Sequence, residues 1–274
     1  MRVAVVYNGE PRTFDQVVEN HKKFLDGCEV SSFHSTWKHL NTKEHREMCE
    51  LSINPKSLAL CDYEASDRPD LVRFEKLLLT HKKNHPIFMF GRIQNMTSKA
   101  FNDIYPIMYD FDLVVKLRYD FEFEGRLLDY VPEKKELDGS IFITKKMGGR
   151  SHPNNVWDGF AYGSPLMMSW YFDCHRFVPF SLFHKEIAEW KYSPEYILGY
   201  YLRHIGAKVY DSQVQPVHKF PDNVEEHRRR RTTQYYVDLL NFHPEFWGQI
   251  ENDCPSTPHE ELIRRLKEKG FDVQ

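Results

Sequence analysis

The chain has no apolar run approaching the ~20 residues that a membrane span requires. It also has no paired-cysteine pattern. Its five cysteines, Cys28, Cys49, Cys61, Cys174 and Cys254, are odd in number and far apart, and none forms a C-x-x-C pair. That spacing argues against a disulfide framework or a zinc knuckle and for reduced thiols. The net charge of -3 creates no field of one sign, so a nucleic-acid or membrane partner would have to announce itself in a local patch. There is no internal repeat and no long low-complexity linker. The apolar run Val3 to Tyr7 halts at Asn8-Gly9, too short for the core of a secretion signal, and a cytoplasmic location is expected.

What remains is a chain of 274 residues, 41% apolar and 15% aromatic, enough to bury one large core. Val3 to Tyr7 is β-branched and continuously apolar, the pattern of a strand buried on both faces of a parallel sheet. Thr13 is a candidate N-cap for a helix carrying Phe14, Val17, Val18, Phe24 and Leu25. Glu29 to Trp37 and Leu58 to Cys61 read as the next strands, which predicts a right-handed βαβ start. Helical stripes follow at Leu71, Phe74, Leu77, Leu78 and at Phe90, Ile93, Met96, Ala100, Ile104. Strands are then expected at 111–117, Ser140 to Lys145, Trp157 to Tyr162 and Ala207 to Tyr210, with helices starting at Ser164-Pro165 and Pro194. The expected architecture is α/β, one Rossmann-like domain over 1–220 with a mixed, mostly parallel sheet flanked by helices. Residues 221–274 read as a C-terminal helical appendage packed on it.

In open α/β sheets ligands gather beyond the carboxyl ends of strands. The strand ending Lys116-Leu117 breaks into Arg118-Tyr119-Asp120, which places a forked cation and a carboxylate at such an end. A guanidinium contacts phosphate well, and a carboxylate suits a hard divalent ion. The same two residues also read as a surface ion pair or a cap.

Four segments occur in order: Tyr7-Asn8-Gly9-Glu10-Pro11-Arg12-Thr13-Phe14, Phe33-His34-Ser35-Thr36-Trp37, Lys116-Leu117-Arg118-Tyr119-Asp120 and Asp158-Gly159-Phe160-Ala161-Tyr162-Gly163. Together they resemble the GT-A-like nucleotide-sugar glycosyltransferases of bacteria and bacteriophages, over roughly positions 1 to 220. The resemblance implies a GT-A domain that moves a sugar from a nucleoside-diphosphate donor to an acceptor hydroxyl. By it, Gly9 and Arg12 touch the nucleotide in the loop after the first strand, Arg118 and Asp120 bind the donor, and Asp120 with His218 holds Mn2+ or Mg2+. Arg118 stands where the family's D-x-D element has its first aspartate, so arginine shares the role of clamping the diphosphate. His34 reads as a satisfied core histidine and Trp37 as core packing.

Sugar transfer needs a base for the acceptor hydroxyl, or a group that stabilises an oxocarbenium-like state. Asp158, beside Gly159, is a candidate for binding sugar or acceptor hydroxyls; it also reads as a turn aspartate. Glu195, in the first turn of a helix after Ser193-Pro194, is the candidate base, although the helix dipole favours a carboxylate there regardless. His152, Asn154 and Asn155 form a polar loop ahead of Asp158 that reads either as sugar recognition or as turn chemistry.

The run Arg228-Arg229-Arg230-Arg231, followed by Tyr235-Tyr236, is the one strong local charge feature. It suits phosphate contacts and base stacking, an anionic membrane surface, or a solvated helix face. With the phage flavour of the resemblance, DNA carrying a hydroxymethylated base is the favoured acceptor. A bacterial surface glycan, or a sugar-nucleotide-binding module without catalysis, are the alternatives. A nucleotidyltransferase is disfavoured because Gly9-Glu10-Pro11-Arg12 lacks a phosphate-binding lysine.

Overall fold

The computed structural model describes residues 1–9, 13–37, 42–61, 70–71, 73, 88–145, 152–189 and 193–219. Arg12, Phe74, Leu77 and Leu78 of the first expected stripe, residues 146–151 and the whole of 221–274, with its arginine run, lie outside the described residues, as do the side chains of Trp37, Phe90 and His218.

The strands are β1 (Arg2–Asn8), β2 (Glu29–Trp37), β3 (Pro55–Cys61), β4 (Leu113–Arg118), β5 (Phe121–Glu122), β6 (Ser140–Lys145), β7 (Val156–Gly163), β8 (Lys208–Asp211) and β9 (Val217–His218). Among the described residues the helices of eight residues or more are α1 (Phe14–Phe24), α2 (Thr42–Leu51), α3 (Phe88–Ile104), α4 (Pro165–Phe172) and α5 (Pro194–His204). Seven strands form one sheet in the order β3-β2-β1-β4-β7-β6-β8, and β5 pairs with β9 in a separate two-stranded ribbon. β1 runs parallel to β2 and β4, and β2 to β3; β7 runs antiparallel to β4 and β6, and β8 is parallel to β6. The result is an α/β sheet, mixed and mostly parallel, flanked by helices and compatible with a Rossmann-like fold.

The unbroken apolar run of β1 is explained by burial on both faces. Val3, Val5 and Tyr7 join Leu113, Val115 and Leu117 of β4 under α1, where Phe14, Val17, Val18 and Phe24 are buried. Ala4, Val6 and Val114 point the other way, against Ala100 and Ile104 of α3 and Met167, Met168, Tyr171 and Phe172 of α4. No helix among the described residues is long and apolar enough to cross a membrane.

Among the described residues the expected strands of the main sheet and the helices α1, α3, α4 and α5 are present, while β5, β9, α2 and several short helical segments are additional, and Thr13 departs from its expected role. α2 follows β2 without having been anticipated: its sequence, TKEHREMCEL, is so polar that an apolar stripe is hard to see, yet it buries Met48. Thr13 precedes α1 but does not cap it through its side chain; its hydroxyl instead donates to the Lys219 carbonyl at 3.4 Å. Ser164 does cap α4, accepting from the Met167 N–H at 3.4 Å.

Candidate functional site

Parallel register brings the carboxyl ends of β1 and β4 side by side, with Asn8 opposite Arg118. The chain leaves β1 through Gly9 at a φ of +107°, a conformation side chains rarely adopt. Among the described residues a Cβ there would meet nothing within 4 Å, so the glycine serves the backbone turn.

Arg118 closes a fork on Asp120. Its Nε donates to Oδ1 at 2.9 Å and its Nη2 to Oδ2 at 2.8 Å. The Asp120 side chain is almost fully buried, whereas Arg118 keeps about a third of its surface, 30%, in solvent. The guanidinium also lies 4.9 Å from the centre of the Phe121 ring, so it is held on two sides. The buried carboxylate is held by the arginine in a charge-assisted fork, and the guanidinium remains partly exposed at the strand end.

The chain after β8 returns over this turn. Val217–His218 pairs with Phe121–Glu122, setting His218 opposite Phe121, and the Lys219 N–H donates to the Asp120 carbonyl at 2.8 Å. Lys219 Nζ reaches Glu122 at 2.9 Å. The backbone of His218 is thus beside Asp120, nearly a hundred residues away in sequence.

A charged residue that the sequence reading passed over lies beneath. Lys116, two residues before Arg118, is 1% exposed in the middle of the sheet, between Val6 of β1 and Ala161 of β7. Burial pulls its amine down to about 8; the charge of Asp158 opposes this, and Asp120 does so more weakly. Among the described residues Lys116 makes no hydrogen bond or ion pair. The signal was present in the sequence: a lysine inside Leu113-Val114-Val115-Lys116-Leu117, where a charge is costly. Asp158 is half-buried on β7, close enough to influence Lys116, Tyr171 and Cys174.

Glu195 opens α5. Ser193 Oγ donates to its Oε2 at 2.6 Å in the first turn of α5. The Asn154 region is bound to the same helix: Arg203 donates to the Pro153 carbonyl at 2.8 Å, and the His152 and Tyr196 rings are 5.0 Å apart. Asn154 Nδ2 approaches Glu186 at 3.4 Å, so this part of the loop is pinned to α5 and its neighbour. The structure therefore gathers Gly9, Arg118, Asp120, the His218 backbone and Asp158 around one strand end, and it gives Glu195 a local partner of its own.

Under the turn, on the α1 face, two histidines are satisfied and neutral. Ser32 Oγ donates to the Ile53 carbonyl, so it accepts from His34 Nε2 at 3.0 Å, and His34 Nδ1 accepts from the Tyr119 hydroxyl at 3.1 Å. Burial holds His34 down to about 3. His21 Nε2 donates to the Phe121 carbonyl and its Nδ1 accepts from Tyr7 at 3.2 Å; burial takes its pKa to about 4. The core reading of His34 is correct, and these rings form a rigid floor beneath the Asp120 turn.

Among the described residues no three His, Cys, Asp or Glu side chains gather as a metal cage. Both Asp120 oxygens already accept from Arg118, whose positive charge repels a second cation. With both oxygens so engaged, the Asp120 carboxylate is a poor ligand for a divalent ion.

No protein-family profile matches the chain, and no curated protein matches its sequence.

Proposed function

We propose that the protein transfers a sugar from a nucleoside-diphosphate donor to an acceptor hydroxyl. The observation that carries this reading is the Arg118–Asp120 fork at the carboxyl end of central strand β4, beside the turn at Gly9. In an open α/β sheet that crevice is where ligands bind. Asp120 aims the partly exposed guanidinium, and the positive charge of Arg118 stabilises the charge that grows on the diphosphate as the sugar departs. The order of motifs in the sequence supplies the GT-A-like character of the reading. Asp158, near Lys116, serves the sugar or acceptor hydroxyls, and Glu195 at the start of α5 serves as base. Diphosphate charge falls to arginine more than to Mn2+ or Mg2+. The acceptor we favour is a hydroxymethylated base in phage DNA, bound through Arg228 to Arg231.

A second reading, a sugar-nucleotide-binding module without catalysis, is favoured by the same fork, because Arg118 occupies the carboxylate that a metal would use. Titration calorimetry with uridine, guanosine and adenosine diphosphates and their hexose conjugates tests both. Binding that falls about tenfold or more in Arg118→Ala, and persists in EDTA, is expected. Hydrolysis of a bound donor to free sugar separates the transferase from the binding module. If no nucleotide binds with or without Mn2+, the donor reading is wrong. Gel shift on hydroxymethylated and plain DNA across a salt series tests the acceptor, with salt-sensitive retention expected.

A further inference from the structure

Around Lys116, buried polar groups on the α3/α4 face leave hydrogen-bonding capacity unused. The Thr97 hydroxyl donates to the Ile93 carbonyl at 2.8 Å, so it can only accept from Asn8 Nδ2, at 2.7 Å. That fixes the Asn8 amide and turns its Oδ1 away from Thr97, buried and without a donor. One turn earlier on α3, Gln94 is 1% exposed and its Oε1 also lacks a donor. On α4 the Tyr171 hydroxyl is buried and unpaired. Asp158 lies within electrostatic reach of both Tyr171 and Lys116, and Lys116 shares its face with Val6, two residues before Asn8 on the neighbouring strand.

These groups differ in what they require. Asn8 and Gln94 need donors, Lys116 needs acceptors, and Tyr171 takes either. A phosphate would satisfy the lysine and the tyrosine but not the amide oxygens, and a cation the amide oxygens but not the lysine. A hydroxyl donates and accepts at once, and two adjacent hydroxyls match a mixed set of this kind. We infer that Asn8, Gln94, Lys116, Asp158 and Tyr171 together make a chamber that binds a vicinal diol, either the ribose diol of the nucleotide or a diol of the transferred sugar. The inference rests on the reading that the crevice takes a nucleotide sugar. Hydroxyls of the ligand donate to the Asn8 and Gln94 oxygens or to Asp158, and accept from Lys116 and Tyr171. The unpaired atoms are shut from solvent, so the crevice opens as the diol enters, and the hydrogen bonds then formed offset the opening.

The test is calorimetry with the nucleoside diphosphates and hexose conjugates named above, each beside its 2′,3′-dideoxy or deoxyhexose counterpart, on the wild type, Lys116→Met and Tyr171→Phe. In the wild type, loss of the responsible diol is expected to weaken binding about tenfold or more, because buried partners are left unpaired. A loss with the dideoxynucleotides identifies the ribose, and a loss with the deoxyhexoses identifies the sugar. In both variants the discrimination is expected to shrink to about twofold. The thermal midpoint of Lys116→Met should hold or rise, since an uncompensated buried charge is gone; a structural lysine would show the opposite. Equal wild-type affinity for the parent and deoxy ligands, or unchanged discrimination in both variants, overturns the diol chamber and leaves the nucleotide reading standing. Failure of every nucleotide to bind overturns both.

Discussion

Two histidines and a lysine each make this core more stable as pH rises, in two separate windows. His21 and His34 are held to about 4 and about 3 by burial, against an ordinary value near 6.5. As pH falls below that ordinary value the unfolded chain takes up protons that the folded one refuses. Their stabilising contribution is whole above about 6.5 and is lost at about 1.4 kcal/mol per pH unit for each histidine on the way to their folded values. Urea unfolding at pH 7, 6 and 5 should show this decline, with a shallower slope in His34→Gln; a flat profile would contradict the neutral, buried assignment. Lys116 acts at the other end. Its folded amine titrates at about 8 rather than 10.5, so its burden is full below that value and is relieved as pH rises between the two. The difference in stability between Lys116→Met and wild type should therefore narrow from pH 7 to pH 9.5.

At the scale of elements, α5 is placed by a missing side chain. Gly199 lies in its middle, where glycine is about 1 kcal/mol worse than alanine. A Cβ there would sit 2.1 Å from the Asn154 carbonyl oxygen, so backbone meets backbone and neither can rotate away. Gly199→Ala is expected to destabilise by on the order of 1–3 kcal/mol despite the better helix former. Chemical denaturation reads the sign, and a stabilised variant would refute the contact. The same approach joins α5 to the 152–155 segment just ahead of Asp158, so the variant should also weaken nucleotide binding.

Across the whole molecule, the Asp120 turn is completed by chain that arrives after every strand of the main sheet is in place. Lys219 contributes its N–H to the Asp120 carbonyl, its own carbonyl to Thr13, and its ammonium to Glu122. Lys219→Pro removes the N–H without touching the Arg118 fork. We expect a loss of about 1–3 kcal/mol in stability and a weaker nucleotide complex, with the far-ultraviolet circular dichroism of the sheet retained. Unchanged affinity would show that the returning strand is dispensable for the site.

Much of this was legible from residue order alone, because the decisive information was local. The continuous apolar run Val3 to Tyr7 demanded burial on both faces, and Pro165 and Pro194 marked helix starts through their fixed φ. The Arg118–Asp120 pair was legible too, since residues two apart at a strand end meet with little help from the rest of the fold. α2 was hidden because its helical period is carried by few apolar residues. The sequence by itself determined the strands of the main sheet, the helices α1, α3, α4 and α5, and the strand end at which charge collects. Tertiary structure alone decided that Asp158 and Asp120 flank a buried Lys116, that the Asn8 oxygen is left without a donor, and that His218 returns beside Phe121. Those relations depend on strand order and register between distant segments, and no local preference encodes which strand lies next to which.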